Sequence, residues 1–488
     1  MRWTTSLFAL GGLILALAAL TACGGGSTAP AVKPTPLNAQ IRVVHASADA
    51  PPVDIYVEGV AGPAFTLSYL ETSSYATLPE GSYNFQIYLE GADPTLVDPV
   101  FETGALPLGG NEVVTAVAAG SINQDPGSGE EFRVLAFVEG FGSAGSGALA
   151  RIVHASPNAP TVAIDLGDDS TPDYSGLQRF SDTGPAGIPL PSGQALQAAI
   201  LVDATLDRVT AFTTPSLPEG AELFVIATGF LGPKANQTDA FGLLVVAPDG
   251  TFGFLRQNPV IYGLHASPDT GVVDIALEGS SDLLVDDLEF SELSAPIQVP
   301  ADQSYSIDVR DQMGNVALNF ETPVLDAGES YLAAVIGYSG MGRSAPLEPR
   351  LLVDTLGGTP IEGNGLVRGL HLSPDAGVVD IGPVDGVSGN LLPLPGFEAL
   401  NYRTTSFPVE GTEVPTSPLV IGVAPSASPT PLVSFDVDLE EDAESWVIVV
   451  GTADTASFPG DEGVRLVNVN TAVAPWTSAV ALPKVEED

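Results

Sequence analysis

Histidine, serine and aspartate recur together in one short stretch of this 488-residue chain, and the chain has no histidine outside its four copies. The histidines are His45, His154, His265 and His371. A serine follows each of them two residues later, at Ser47, Ser156, Ser267 and Ser373. An aspartate follows nine residues after three of them, at Asp54, Asp274 and Asp380. These are the residue types of a hydrolase triad, so catalysis is the first hypothesis to weigh.

A catalytic triad is the weaker interpretation of this signature stretch, which runs from Ile41 to Gly59 in its first copy. Each copy has a single histidine, and the chain contains no Gly-x-Ser-x-Gly nucleophile elbow. The second copy has Ala163 at the aspartate position and Asp165 two residues later. Serine, proline and aspartate this close together are typical of a turn whose side chains bond nearby backbone amides. We therefore expect the histidine to brace this turn or to pair with the nearby aspartate, and a hydrolase on one module is the alternative.

Metal binding has little support in the sequence. Zinc needs three or four converging His or Cys ligands, and each copy offers one histidine. Calcium needs only oxygen ligands, and acidic clusters occur at residues 165–173, 286–289 and 438–444. None of these clusters has the spacing of a calcium loop. We assign no catalytic, cofactor-binding or metal-binding residues, and a calcium-dependent glycan-binding site on one module remains an alternative.

The histidines are spaced at intervals of about 110 residues, which indicates a tandem repeat. Two further landmarks keep the same register. A phenylalanine follows each signature stretch, at Phe65, Phe180, Phe290 and Phe397. A glutamate precedes an apolar run later in each repeat, at Glu112, Glu222, Glu329 and Glu444. We interpret the phenylalanines as core residues and the glutamates as the starts of strands.

Within each repeat the side chains alternate as they do in β-strands. Val53, Ile55 and Val57 are separated by polar or amphipathic residues, the two-residue period of a half-buried strand. Seven or eight such runs per repeat are divided by Gly, Pro, Asn or Asp, which predicts short strands joined by turns. The signature stretch is predicted to be the opening hairpin of each repeat.

The sequence therefore predicts an all-β fold of four tandem immunoglobulin-like antiparallel β-sandwich modules, arranged as beads in a row. The predicted modules 1 to 4 are residues 38–146, 147–257, 258–363 and 364–483. Seven short strands in about 100 residues favour this arrangement over a propeller, whose blades take roughly 40–50 residues each.

The N-terminus has the features of an export signal with a lipid-attachment site. Residues 1–22 contain Arg2 and the apolar run from Leu7 to Leu20, which predicts a signal peptide. Leu20-Thr-Ala-Cys23 resembles a bacterial lipobox, and acylation of Cys23 would attach the chain to a membrane. Residues 23–37 are rich in Gly and Pro and are predicted to be a flexible tether. Cys23 is the one cysteine of the chain, which excludes an intrachain disulfide.

Charge excludes one class of partner. Lys and Arg number 16 against 60 Asp and Glu, a formal net charge of −44. A field of this sign repels nucleic acid. The hydrophobic fraction of 44% is too high for a disordered acidic chain.

The repeated pattern His-Ala-Ser-Pro-Asp-Ala-Pro-x-Val-Asp resembles the bacterial family catalogued as domain of unknown function 4397, across residues 38–483. The resemblance implies a cell-envelope or secreted protein of β-rich modules, with no reaction or ligand established for the family. We expect a membrane-anchored lipoprotein of the bacterial cell envelope, at the outer membrane or cell surface. Its expected role is binding, adhesive or structural, with polysaccharide or another envelope protein as the partner.

Overall fold

The computed structural model describes residues 37–484, except 170, 233–236, 341, 344, 355–359, 417–418 and 473–474. The predicted signal peptide, Cys23 and all but the last residue of the predicted tether lie outside these residues. The described part of the chain forms thirty-five strands, and none of it is a helix able to cross a membrane. The prediction of an all-β modular fold is confirmed.

The strands are grouped here by the predicted module into which they fall. Module 1 contains β1 (Asn38–His45), β2 (Val53–Val57), β3 (Phe65–Leu67), β4 (Ala76–Pro79), β5 (Gly81–Tyr83), β6 (Phe85–Leu89), β7 (Phe101–Glu102), β8 (Leu106–Leu108), β9 (Val113–Ala119) and β10 (Arg133–Val138). Module 2 contains β11 (Ala148–His154), β12 (Val162–Leu166), β13 (Tyr174–Leu177), β14 (Ile188–Leu190), β15 (Gln197–Val202), β16 (Arg208–Thr213), β17 (Glu222–Thr228), β18 (Gly242–Val246) and β19 (Phe252–Leu255).

Module 3 contains β20 (Val260–His265), β21 (Val273–Leu277), β22 (Leu283–Leu288), β23 (Ile297–Gln298), β24 (Ser306–Asp311), β25 (Val316–Glu321), β26 (Ser330–Ile336) and β27 (Glu348–Val353). Module 4 contains β28 (Asn364–His371), β29 (Val379–Pro383), β30 (Thr412–Pro415), β31 (Leu419–Pro425), β32 (Val433–Val437), β33 (Glu444–Val450), β34 (Arg465–Asn470) and β35 (Thr477–Ala481). The glutamate landmarks begin or directly precede strands β9, β17, β26 and β33, as the sequence predicted.

The signature stretch crosses from one sheet of its sandwich to the other. In module 1 the sheet order is β10-β9-β1-β4 for one sheet and β3-β2-β6-β7 for the other. The prediction that β1 and β2 form a hairpin is therefore wrong. Both strands carry an apolar face, and these faces pack against each other in one core cluster that includes Ile41, Val43, Val53 and Ile55. Burying both faces across the core keeps the two strands in opposite layers of the sandwich.

Among the described strands, one pair in each module is parallel. The pairs are β1 with β9, β11 with β17, β20 with β26, and β28 with β33. In each pair the signature histidine lies near the carboxyl end of its strand. The residues opposite it are Ala118, Ala227, Val335 and Val449. The sheet that carries the histidine is therefore mixed rather than purely antiparallel.

The modules pack in two pairs and are not separate beads. One buried apolar cluster joins modules 1 and 2 and includes Val44 and Phe224. A second cluster joins modules 3 and 4 and includes Leu264 and Trp446. Residues that alternate with the core-facing positions of the histidine strand carry this contact, so that strand is buried on both faces.

Aromatic and cationic side chains complete each contact between modules. Arg42 is fully buried and donates from Nη1 to the Ala247 carbonyl at 2.6 Å, while Arg151 donates to the Val138 carbonyl at 2.6 Å. Each arginine thus bonds the backbone of the neighbouring module, a reciprocal arrangement. At the same position in module 3, Tyr262 stacks on a tryptophan of module 4, with 4.3 Å between ring centroids.

Two of the phenylalanine landmarks are not core residues of their own modules. Phe65 and Phe397 belong to the cores of modules 1 and 4. Phe180 and Phe290 instead pack at the contacts between modules. The prediction is wrong for these two because they lie beyond the strand that ends in Leu177 or Leu288, not within it. The chain has turned toward the neighbouring module at that point.

Candidate functional site

The signature histidine is buried and braces the loop that follows it. The four side chains are at most 1% exposed. Each Nε2 lies within hydrogen-bond distance of the carbonyl six residues later, belonging to Pro51, Pro160, Gly271 or Gly377. A carbonyl only accepts, so Nε2 is the protonated ring nitrogen. In modules 1, 3 and 4, Nδ1 accepts the amide of the signature serine at 3.3–3.4 Å.

Burial also fixes the charge of these rings. Desolvation lowers the pKa of all four histidines below 6.5, and the hydrogen bond to the loop carbonyl partly opposes that effect. The rings are therefore neutral at pH 7. In three modules both ring nitrogens contact the backbone of their own loop, which leaves neither one to accept a proton from a nucleophile.

The hydroxyl of the signature serine does not bond the histidine ring in any of the four modules. Ser47 donates to the Gly120 carbonyl at 2.7 Å, and Ser156 donates to the Gly229 carbonyl at 2.6 Å. Ser267 bonds the hydroxyl of Thr270, and the buried Ser373 hydroxyl has no hydrogen-bond partner. The structure brings histidine and serine into one loop in every module. It forms no histidine–serine side-chain pair in the residues that it describes.

We call the place where the signature loop meets the end of the parallel strand the junction. A glycine follows that strand in each module, and these glycines were not predicted from the sequence. They are Gly120, Gly229, Gly337 and Gly451, with φ between +82° and +93°. At Gly229 an added Cβ would lie 2.2 Å from the Ala240 carbonyl oxygen. Only glycine combines this φ with so close a backbone approach. A glycine directly after each glutamate-led apolar run was the signal available in the sequence.

The aspartate of the Ser-Pro-Asp turn reaches across the junction. Asp269 accepts the amides of Ser339 at 2.7 Å and Gly340 at 3.0 Å. Asp375 accepts the Ala453 amide at 2.7 Å. The sequence predicts bonds to amides of this turn, and the amide of Asp375 itself is one such donor; the structure adds donors from a distant loop. The positive-φ glycine turns a distant loop so that its amides face the carboxylate.

Hydrogen bonds also set the charge of this aspartate in module 4. Burial favours a raised pKa for Asp375, but the hydroxyl of Thr452 and the amides of Ala453 and Asp454 outweigh it and hold the pKa below 3.8. Asp375 is thus a carboxylate at neutral pH. Asp49 of module 1 receives similar donors from Ser121 and the residues after it. The turn aspartate acts as a clamp on the loop that follows the parallel strand.

The aspartate nine residues after the histidine lies on the other sheet and accepts hydrogen bonds there. Asp54 accepts the Thr66 hydroxyl at 2.5 Å and the Gly91 amide at 2.8 Å. Asp380 accepts the amides of Ala399 and Ala427. Neither bonds its histidine, because the two residues lie on strands of different sheets. The expected histidine–aspartate pair is not formed.

Module 2 departs from this arrangement. Ala163 replaces the aspartate and is fully buried in a small cluster with Ala199, Leu201 and Ala211. Asp165, two residues later, is also buried and accepts the Asp169 amide at 3.2 Å.

One of the three acidic clusters gathers around a signature residue. Carboxylate oxygens of Asp274, Asp286 and Asp287 lie within 4.8 Å of one another, and Asp274 also accepts the Asp287 amide at 2.9 Å. Asp286 and Asp287 are exposed. Calcium takes six to eight oxygen ligands, so three carboxylates supply about half of a coordination shell.

Module 2 contains an apolar cavity of about 280 Å³ between its two sheets. The corresponding spaces in modules 1 and 3 are about 20 and 60 Å³. Ile152, Ile164 and Val225 are among the residues that line the larger cavity. The amino-acid sequence contains no comparable signal, because unfilled volume depends on the distance between sheets.

Comparison with known proteins identifies a family and no activity. The family model described as "Domain of unknown function (DUF4397)" matches residues 39–165 and 260–382. No curated protein matches the chain. Among solved structures, "The Bacillus anthracis TIE protein" is similar at 11% identity and a TM-score of 0.14. That alignment covers 81% of this chain and 65% of the other, and a TM-score this low supports no inference about fold or function.

Proposed function

The chain belongs to the family of the domain of unknown function DUF4397, and on that premise we propose a non-catalytic, lipid-anchored protein of the bacterial cell envelope. Its role is binding, adhesive or structural. One observation carries the proposal: the histidines and most signature serines and aspartates bond groups that hold their own module together. A hydrolase would need a serine facing a histidine able to accept its proton.

The paired modules suit a role in display. Each pair shares an apolar cluster, so the unit presented to a partner is two sandwiches that hold a fixed mutual orientation. Two such units on one anchor raise the effective concentration of binding surfaces toward a repetitive partner. Polysaccharide or another envelope protein fits this description, whereas nucleic acid is disfavoured by the net charge of −44.

The decisive experiment replaces all four histidines with glutamine in the full chain. If the rings hold the junctions, the variant unfolds at lower denaturant concentration and the junction amides exchange faster with deuterated water. A panel of ester, peptide and glycoside substrates supplies the second measurement. Unchanged stability together with the loss of a hydrolytic activity present in the wild-type chain would establish the enzyme instead.

Membrane attachment is tested separately through the lipobox. Acyl chains contribute about 0.8 kcal/mol per buried CH₂, so the anchored protein fractionates with membranes. Replacing Cys23 with alanine should leave the chain unprocessed or release it. A processed Cys23→Ala chain that stays in the outer-membrane or cell-surface fraction would contradict lipid anchoring at this residue.

Calcium-dependent glycan binding is the second candidate function, and the approach of Asp274, Asp286 and Asp287 favours it. Calcium titration of the wild-type chain and of Asp286→Asn, with a glycan array probed in each state, tests it. Loss of both calcium and glycan binding in the variant supports this role. Glycan binding that persists in a calcium chelator refutes it.

A further inference from the structure

The cavity of module 2 is lined mainly by aliphatic side chains from both sheets. Leu223 and Val225 of β17 and Val245 of β18 point into it, on the opposite face from Phe224 and Leu244, which pack against module 1. Among the described residues of the lining, the polar side chains are His154, Thr214 and Thr251, and none is charged. Such a space holds water poorly because it offers few hydrogen-bond partners.

Its size sets it apart from an ordinary packing defect. Protein interiors are packed about as densely as organic crystals, with few voids larger than a water molecule. An engineered apolar cavity of about 150 Å³ stays dry and binds benzene. The cavity of module 2 is about 280 Å³, while the equivalent space in module 1 is about 20 Å³. The same fold therefore closes its core in one module and leaves it open in another.

The cavity has a mouth at one edge of the sandwich. Pro215, Thr251 and Gly253 line it and are exposed. Gly253 lies on β19, the outermost strand of its sheet, and pairs with Val245. A Cβ added at Gly253 would meet no atom within 4 Å, so the missing side chain leaves the entrance clear.

Module 2 also differs from its neighbours beside the signature histidine. An aromatic ring lies edge-on to the histidine in modules 1, 3 and 4. In module 2 Arg179 occupies this position and donates to the Ala159 carbonyl at 3.0 Å. His154 Nδ1 is buried without a hydrogen-bond partner, although this atom accepts an amide in the other three modules. The open core thus coincides with a changed junction.

We propose that module 2 binds one uncharged ligand with a medium-length alkyl chain, which enters the cavity while its polar end stays at the mouth. At about 30 Å³ per methylene, similar to the share of one water molecule, the space holds about nine such groups. A carboxylate end is disfavoured because none of the described residues that line the cavity is cationic and the protein carries a charge of −44. This inference goes beyond the proposed envelope role and does not depend on it.

Titration calorimetry of the full chain with 1-nonanol, in buffer free of detergent, tests the assignment. We expect saturable binding of one molecule per chain with a negative heat-capacity change. Ala227 lines the cavity, and Ala227→Leu should weaken binding at least tenfold. Ala204→Leu adds the same side chain to an exposed loop of module 2 and should leave binding unchanged. Nonanoate, with its charged end, should bind at least tenfold more weakly than 1-nonanol.

Gly253→Leu is the second variant, because it narrows the mouth from an edge strand and leaves the core residues in place. If Ala227→Leu fails to fold, Gly253→Leu decides the question by the same tenfold criterion. Absence of saturable 1-nonanol binding to the wild-type chain overturns the proposal. Binding that neither cavity variant weakens also overturns it, and so does equal affinity for nonanoate.

Discussion

The close backbone approach at Gly229 gives the most stringent test of the junction. Gly229 has φ of +82°, and a Cβ there would lie 2.2 Å from the Ala240 carbonyl oxygen. Gly250, in the same module, has φ of +85° but no atom within 4 Å of an added Cβ. Alanine at either position carries the same conformational penalty of roughly 1–2 kcal/mol. The two substitutions therefore differ only in what the methyl group meets.

The extra cost at Gly229 follows from the bonds that must break if the two backbones separate. Phe230 donates to the Asp239 carbonyl, Phe241 donates to the Phe230 carbonyl, and Ser156 donates to the Gly229 carbonyl, at 2.6–2.9 Å. At about 1 kcal/mol each, their loss adds roughly 3 kcal/mol. We expect Gly229→Ala to cost about 4–5 kcal/mol and Gly250→Ala about 1–2 kcal/mol.

Hydrogen exchange of the β17 amides measures both variants within the intact chain, which avoids treating a multidomain protein as one two-state unit. Gly229→Ala should raise the exchange rates of these amides by about two orders of magnitude more than Gly250→Ala does. If the exchange rates of the two variants agree within a factor of three, the junction accommodates the methyl group without breaking these hydrogen bonds. The account of the signature stretch as a clamp would then be wrong.

Three further predictions concern the cavity, the histidines and the paired modules. Ala227→Leu fills part of the 280 Å³ cavity and should stabilise module 2 by about 1–2 kcal/mol. Ala118→Leu enters a 20 Å³ space and should destabilise module 1 by about 1–3 kcal/mol. Amide exchange measures both changes, and the reverse order of stabilities would refute the difference in cavity volume. Because burial lowers the histidine pKa values, the unfolded chain binds these protons first, so their contribution to stability is complete above pH 6.5 and is lost as the pH falls below it. Between pH 7 and pH 5 the denaturant midpoint should therefore decrease more for the wild-type chain than for the chain with four glutamines. Equal decreases would contradict the burial of the histidines. Trp476→Ala removes the ring stacked on Tyr262 and should cost about 3–5 kcal/mol, seen as a calorimetric transition of modules 3 and 4 moving down while that of modules 1 and 2 stays.

Periodicity along the chain was sufficient to predict the repeat and the all-β fold. The two-residue alternation at Val53, Ile55 and Val57 and the turn residues between such runs report strand formation locally, without knowledge of any partner. The histidine spacing reports recurrence of the unit in the same direct way. Both signals can be read from one sequence because neither requires knowing which distant segments pair.

Pairing between distant segments was decided only by the tertiary structure. The sequence places β1 and β2 side by side, which suggested a hairpin, yet their apolar faces meet across the core. Asp269 stands in a turn that could satisfy it locally, yet its donors are at Ser339 and Gly340. In each case local chemistry allowed two solutions, and burial of the surrounding apolar surface selected one.

Functional conclusions also depend partly on local sequence and partly on the tertiary structure. The residue types of the signature stretch suggested a catalyst, and its variation in module 2 indicated a structural turn. In the tertiary structure the four histidines bond loop carbonyls. Shared apolar clusters hold the modules together in pairs. The cavity of module 2 depends on how far apart two sheets settle when small residues such as Ala227 and Gly253 line the space between them. That separation results from the packing of the whole module, and no single segment of the sequence encodes it.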